Sequence, residues 1–97
     1  MSDAARQWVL VRTDTFVREL RKYLRKHPDR EQLVRSTLRI LATDPYSPTL
    51  RLHKLKGRMR DFSAVRLTYG DRIILTLIVT ERQIVLLNIG THDDVYL

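Results

Sequence analysis

The sequence contains no cysteine, and only three glycines and three prolines occur among its 97 residues. The lack of cysteine excludes disulfides, thiolate catalysis and cysteine-based zinc sites. We find no glycine-rich phosphate loop, no histidine pair at metal-ligand spacing and no serine-nucleophile motif. The acidic residues do not cluster as a two-metal site requires. We therefore expect this protein to act with no metal and no cofactor.

Long apolar runs are also absent from the chain. None approaches the roughly 18–20 residues that span a bilayer, and the run Trp8–Val11 is too short for the hydrophobic region of a signal peptide. A 97-residue chain that is 43% hydrophobic can build one modest core. We predict a single domain over residues 1–97, located in the cytoplasm and not in a membrane.

Negative charge is scarce, because 18 lysines and arginines face 11 acidic residues and give a net charge of +7. A sequence pI of about 10.4 favours a polyanionic partner such as nucleic acid, a ribosome or an acidic protein segment. A soluble protein that is merely basic is the alternative. The surplus concentrates between residues 51 and 72. The cations of this segment are Arg51, Lys54, Lys56, Arg58, Arg60, Arg66 and Arg72.

The first half of the chain has the pattern of a strand followed by two helices. A β-branched and aromatic run over residues 7–12 predicts a strand. Thr13 or Asp14 can cap a first helix, which Pro28 ends. Asp29 would begin the second helix, with Gln32 three residues later as in a capping box. The predicted apolar faces of the two helices are Phe16, Leu20, Tyr23 and Leu24, then Leu33, Val34, Thr37, Leu38 and Leu41.

The second half changes to the period of strands. We predict strands over residues 62–69, 72–79 and 83–89, joined by tight turns into an antiparallel meander. In the first of them Val65, Leu67 and Tyr69 alternate with polar residues, which places Tyr69 on an apolar face. The fold class is therefore α+β, with the order β-α-α-β-β-β and an antiparallel helix hairpin on one face of the sheet.

Arg66 and Arg72 flank the predicted hairpin turn near Gly70, and both have even numbers. A symmetric pairing puts them on the same face, although a one-residue bulge would separate them. Two adjacent guanidinium groups repel each other unless an anion lies between them, and their planar forks suit a phosphate. We predict that this pair binds phosphate.

Two of the three histidines lie beside strand-like segments, where a catalytic role competes with an ordinary structural one. His92 follows Gly90, which permits a sharp exit from the sheet, and Tyr96 could return to the same rim and stack on a base. A C-terminal tyrosine that packs in the core is the alternative. His53 is followed by the cations Lys54 and Lys56. We exclude His27, which reads as a cation at a helix end.

Three motifs carry a resemblance to a known family: His53-x-Leu55-x-Gly57, Arg72-Ile73-Ile74 and Gly90-Thr91-His92-x-x-x-Tyr96. With the order of elements, they make nearly the whole chain resemble the RelE/ParE superfamily of bacterial type II toxins, particularly the YafQ-like and RelE-like messenger RNA interferases. This resemblance implies the RelE-like fold. It also implies a toxin whose partners are an acidic, partly disordered antitoxin and, only through that antitoxin, operator DNA.

The same resemblance implies which residues form the site. The catalytic positions are His53, Arg66, Asp71, His92 and Tyr96. Arg66 is a departure, because YafQ-like toxins have a histidine there, and it would stabilise charge instead of moving a proton. Asp71 would orient a histidine or an arginine. The positions that would bind RNA phosphate are Lys54, Lys56, Arg58 and Arg72.

The activity implied is cleavage of messenger RNA in the ribosomal A site by attack of the RNA's own 2′-hydroxyl. Such a reaction needs alignment, two proton transfers and charge stabilisation, for which histidine, arginine and lysine are suited. Two other functions stay open at this point. One is a ParE-like toxin that inhibits DNA gyrase without cutting RNA, since fold does not determine function. The other is an inactive protein that only binds its antitoxin.

Overall fold

The computed structural model of the protein describes residues 7–92. This part of the chain forms five strands and two helices. In chain order they are β1 (Val9–Arg12), α1 (Asp14–Lys26), α2 (Glu31–Thr43), β2 (His53–Lys54), β3 (Ser63–Arg66), β4 (Asp71–Ile78) and β5 (Gln83–Thr91).

All five strands belong to one sheet with the order β1-β5-β4-β3-β2. The three predicted meander strands pair in antiparallel fashion, which confirms the α+β architecture. The sheet is mixed, however, because β1 pairs with β5 in parallel. The two-residue strand β2, which the sequence pattern did not predict, adds an antiparallel edge beside β3.

The first helix begins at Thr13, one of the two caps predicted for it. The Thr13 hydroxyl oxygen accepts from the backbone N–H of Phe16 at 3.1 Å and donates to the carbonyl of Leu86 at 2.8 Å. The cap therefore satisfies a free helix N–H and also ties the helix to β5.

The predicted capping box of the second helix is wrong. Pro28–Arg30 form a 3₁₀ turn, so Asp29 lies within that turn, and no side chain caps the first residues of α2. Proline has a backbone angle suited to the first position of such a turn. The turn therefore begins at Pro28, and the α-helix starts only at Glu31.

The two faces of the sheet have different coverings. The face toward the helices carries the main core, in which Phe16, Leu41, Ile73, Leu75 and Leu86 are completely buried. We call it the helix face. Side chains alternate along a strand, so even-numbered residues of β4 point the other way.

On this second face, Ala64 and Ile74 form a small cluster with Leu55, Met59 and Phe62 from the loop between β2 and β3. We call it the loop face. No helix within the described chain is long and apolar enough to cross a membrane.

Candidate active-site cleft

A cleft of about 360 Å³ lies on the loop face. Its walls come from β2, the loop after β2, β4 and the end of β5. The lining residues are His53, Lys54, Leu55, Lys56, Met59, Arg72 and His92. Five of the nine residues predicted for the site are therefore gathered in one place, although they come from distant parts of the chain.

Strand register sets the floor of the cleft. Arg72 on β4 lies opposite Arg66 on β3 and opposite Gly90 on β5. Directly opposed residues of antiparallel strands project from the same face. The prediction that the two arginines share a face is thus confirmed. Gly90 places no side chain beside Arg72 on β5.

A bulge does occur in the sheet, but it does not separate the two arginines. The register shifts between Ile74 and Leu75 of β4, where it pairs with β5. The β3–β4 pairing keeps its register from Ser63 to Arg66.

Arg72 has an unsatisfied donor. Its Nε atom is buried and has no hydrogen-bond partner within the described structure. A buried donor without an acceptor costs about 1–3 kcal/mol. An anion in the cleft would satisfy this donor with a charge-assisted hydrogen bond.

His53 is oriented by the backbone that precedes it. Arg51 has a left-handed conformation (φ 51°) that turns the chain from a 3₁₀ turn into β2. The carbonyl of Arg51 lies 2.9 Å from Nδ1 of His53. Because a carbonyl only accepts, Nδ1 carries the hydrogen and Nε2 is the basic nitrogen of the neutral ring. Nε2 is thus the atom with which His53 could take a proton.

His92 is held by the turn between β3 and β4. Its backbone N–H donates to the carbonyl of Gly70 at 3.3 Å, and its exposed side chain lines the cleft. The predicted sharp exit at Gly90 is wrong, because β5 continues to Thr91. His92 therefore follows directly after the last residue of β5 and lies at the rim of the cleft.

The two cleft lysines depend on an anchored loop. Leu55, Met59 and Phe62 pack on the loop face, and the Leu55 N–H donates to the Phe62 carbonyl at 3.0 Å. Lys54, at the end of β2, and Lys56, between Leu55 and Met59, are exposed and line the cleft on either side of the Leu55 anchor. The apolar residues therefore hold the loop while the cations stay accessible.

The loop turns at Gly57, whose φ of +64° suits glycine. Arg58 follows in a 3₁₀ turn and is exposed, but it does not line the cleft. Its predicted contact with phosphate thus has no support from the cleft geometry.

Asp71 does not face the cleft, which corrects its expected place in the site. Its Oδ2 accepts from the Tyr23 hydroxyl at 2.6 Å and from Arg30 Nη1 at 2.5 Å, on the helix face. The arginine that it binds, Arg30, belongs to the turn before α2 and not to the cleft. Burial, and next the hydrogen bond to Asp71, raises the pKa of Tyr23 to about 12.

Arg66 is a further predicted residue that does not line the cleft. Its guanidinium carbon lies 5.4 Å from the centroid of the Tyr69 ring. Tyr96 lies outside the described residues.

Sequence reasoning missed Tyr69, which is 89% exposed and not on an apolar face. The chain leaves β3 at Arg66, because the N–H groups of Leu67 and Thr68 both donate to the Asp71 carbonyl. The neighbouring Gly70 was the signal that the alternation ends before Tyr69. Within residues 7–92, no three histidine, aspartate or glutamate side chains form a group that could hold a metal ion.

No protein-family model and no curated protein matches this chain. Solved structures do. YafQ from E. coli strain BL21(DE3) superimposes with a TM-score of 0.76 at 13% identity, over 93% of this chain and 99% of that one. The YoeB/ParE toxin from Agrobacterium tumefaciens gives 0.72 at 17% identity, over 87% and 98%. YafQ in the E. coli DinJ–YafQ toxin–antitoxin complex gives 0.75 at 15% identity, over 93% and 98%.

The fold is therefore that of RelE/ParE-superfamily toxins, which confirms at the level of fold the resemblance seen in the sequence. Among the structures with this fold, it is similar to YafQ, both alone and in the complex with DinJ.

Proposed function

We propose that this protein is the toxin of a bacterial type II toxin–antitoxin system and a ribosome-dependent endoribonuclease that cleaves messenger RNA. The observation that carries the proposal is the joining of two histidines and three cations in one cleft of the loop face. The RelE/ParE fold supports it, since YafQ has the same fold and forms a toxin–antitoxin complex.

The reaction uses the nucleophile that RNA provides. The 2′-oxygen attacks the adjacent phosphorus, the bond from phosphorus to the 5′-oxygen breaks, and a 2′,3′-cyclic phosphate and a 5′-hydroxyl result. One proton leaves the 2′-hydroxyl and one reaches the departing 5′-oxygen. His53 and His92 serve as the base and the acid, each typically contributing about 10²–10⁴-fold. The Nε2 atom of His53 is suited to accept a proton because Nδ1 donates to Arg51.

The cations stabilise the charge that grows on the phosphate oxygens. Arg72 offers its unpartnered Nε–H from the cleft floor, and Lys54 on β2 and Lys56 on the following loop add positive charge. Donors held in place before the reaction stabilise a transition state without reorganisation. Asp71 takes no part in the chemistry and instead fixes the start of β4, from which Arg72 projects.

The proposed partners follow from charge and from the likeness to the DinJ–YafQ complex. A net charge of +7 favours messenger RNA on the ribosome, in the cytoplasm, and an acidic antitoxin segment that folds on binding. Such a segment would neutralise the toxin by covering the cleft. Operator DNA would be reached only through the antitoxin.

Mapping RNA 5′ ends after induced expression tests the proposal. We expect the wild-type protein to leave new ends at a fixed codon position of translated messages, and a folded His92→Ala variant to leave none. His27→Gln is the matched control, because His27 ends α1 and does not line the cleft. Full cleavage by folded His92→Ala protein would reject the role of His92.

The likeness to a YoeB/ParE toxin supports a second candidate, inhibition of DNA gyrase without RNA cleavage. The same experiment separates the two functions, since growth arrest without new codon-placed RNA ends would favour gyrase inhibition. Normal growth on induction would instead indicate an inactive, antitoxin-binding protein.

A further inference from the structure

Tyr69 presents an aromatic ring to solvent from a turn that is hydrogen-bonded to the cleft residue His92. It lies in the turn between β3 and β4 and is 89% exposed, whereas the nearby Leu67 is buried. The Arg66 guanidinium lies over its ring, 5.4 Å from the centroid. The ring contributes little to the core, and its flat surface stays accessible.

The turn that carries Tyr69 is linked to two residues of the proposed chemistry, His92 and Arg72. Gly70, the next residue, accepts the backbone N–H of His92 at 3.3 Å. Arg66, which backs the ring, lies directly opposite Arg72 across the β3–β4 pair. Tyr69 therefore precedes the residue that holds His92, and the arginine over its ring lies across the strand pair from Arg72.

We propose that Tyr69, backed by Arg66, is a stacking platform for a nucleobase of single-stranded RNA. That base belongs to a nucleotide flanking the phosphate bound at Arg72. Aromatic rings beside cations are the usual means of holding single strands, because every base offers a π-face and the backbone is negative. This inference rests on the proposed function and names how its site holds the substrate.

Binding to an uncleavable oligonucleotide tests the platform. The probe is a short 2′-fluoro RNA, which lacks the attacking hydroxyl, with a single abasic position moved along its length. We expect one abasic position to weaken wild-type binding about 10-fold, as measured by fluorescence anisotropy. Tyr69→Ala should bind the intact and abasic probes equally, whereas Tyr69→Phe should keep the wild-type difference, since stacking needs the ring and not the hydroxyl.

Tyr46→Ala is the control for loss of an exposed aromatic, because Tyr46 is 58% exposed and does not line the cleft. It should discriminate against the abasic probe as the wild-type protein does. The platform is overturned if Tyr69→Ala keeps that discrimination, if Tyr69→Phe loses it, or if the wild-type protein binds no probe. Base-dependent binding without any RNA cleavage in the induction experiment would reject the proposed function while leaving the platform in place.

Discussion

Asp71 and Arg72 are neighbours in the chain, yet they belong to opposite faces of the sheet and to opposite kinds of site. Asp71 is 5% exposed on the helix face, and its carboxylate accepts from Tyr23 and Arg30. Arg72 is half-buried on the loop face, and its buried Nε has no acceptor in the described structure. The start of β4 thus stabilises the fold on one face and, on the other, holds a buried N–H donor that has no acceptor in the described structure.

The difference teaches how to tell a structural charge from a functional one in this protein. A buried charge with hydrogen-bonded partners is costly to disturb, because removing one partner leaves the other unsatisfied. A cation without an acceptor gives the folded state little, and its donor is available to a ligand. Substitutions on the two faces should therefore have opposite effects on stability and on activity.

Replacing the unsatisfied charge should have the largest effect on activity. We expect Arg72→Met to lower kcat/KM for RNA cleavage about 100-fold, similar to the loss of one oxyanion-stabilising donor. Its free energy of unfolding should not fall, because the variant removes a buried donor that has no acceptor in the described structure. Cleavage kinetics and urea denaturation measure the two quantities.

Arg39→Met is the matched control, since it removes the same charge from an exposed position of α2. It should leave cleavage near the wild-type rate. A large loss of stability in Arg72→Met, with its activity intact, would show that Arg72 is structural and would break the comparison.

Replacing the satisfied charge should affect stability instead. We expect Asp71→Ala to lower the free energy of unfolding by about 1–3 kcal/mol, because the Tyr23 hydroxyl loses its acceptor on the helix face. Activity per folded molecule should fall much less than in Arg72→Met. The comparison fails if Asp71→Ala is as stable as the wild-type protein but inactive, as a catalytic carboxylate would require.

The smallest expected effect concerns the partner of Asp71. Tyr23→Phe should cost about 1 kcal/mol at neutral pH, the usual value of one hydrogen bond. Because the folded-state pKa of Tyr23 is raised from 10.0 to about 12, the neutral phenol stabilises the fold fully below pH 10. That contribution is lost as the pH rises from 10 to 12.

The wild-type protein should therefore lose its advantage over Tyr23→Phe across this range, as measured by denaturation at each pH. A constant difference up to pH 12 would mean that the phenol is not held by burial and Asp71.

Much of the fold could be predicted from local patterns, because periodicity reports burial directly. The meander, both helices and the Thr13 cap were predicted for this reason. The short strand β2 was missed, since two residues carry no period. The capping box failed because the pattern around Gln32 does not show that Pro28 begins a 3₁₀ turn.

Part of the site was also predictable. The shared face of Arg66 and Arg72 followed from their even numbers around a symmetric turn. Adjacent residues of a strand face opposite ways, so the numbering also indicates that Asp71 faces away from Arg72. Our prediction followed the resemblance to toxins instead and placed Asp71 in the site. The prediction placed Tyr69 on the wrong face because it extended the strand alternation beyond Arg66, where β3 ends and the turn begins.

By itself the amino-acid sequence determined the alternation of faces along each strand, the positive charge and the kinds of side chain available for chemistry. These are local properties, since they depend on each residue and its near neighbours in the chain. Only the tertiary structure decided that His53, Arg72 and His92 meet in one cleft, and that Asp71 is held by Tyr23 and Arg30. Such meetings depend on strand order, register and the anchoring of a loop, which arise from packing between segments distant in sequence.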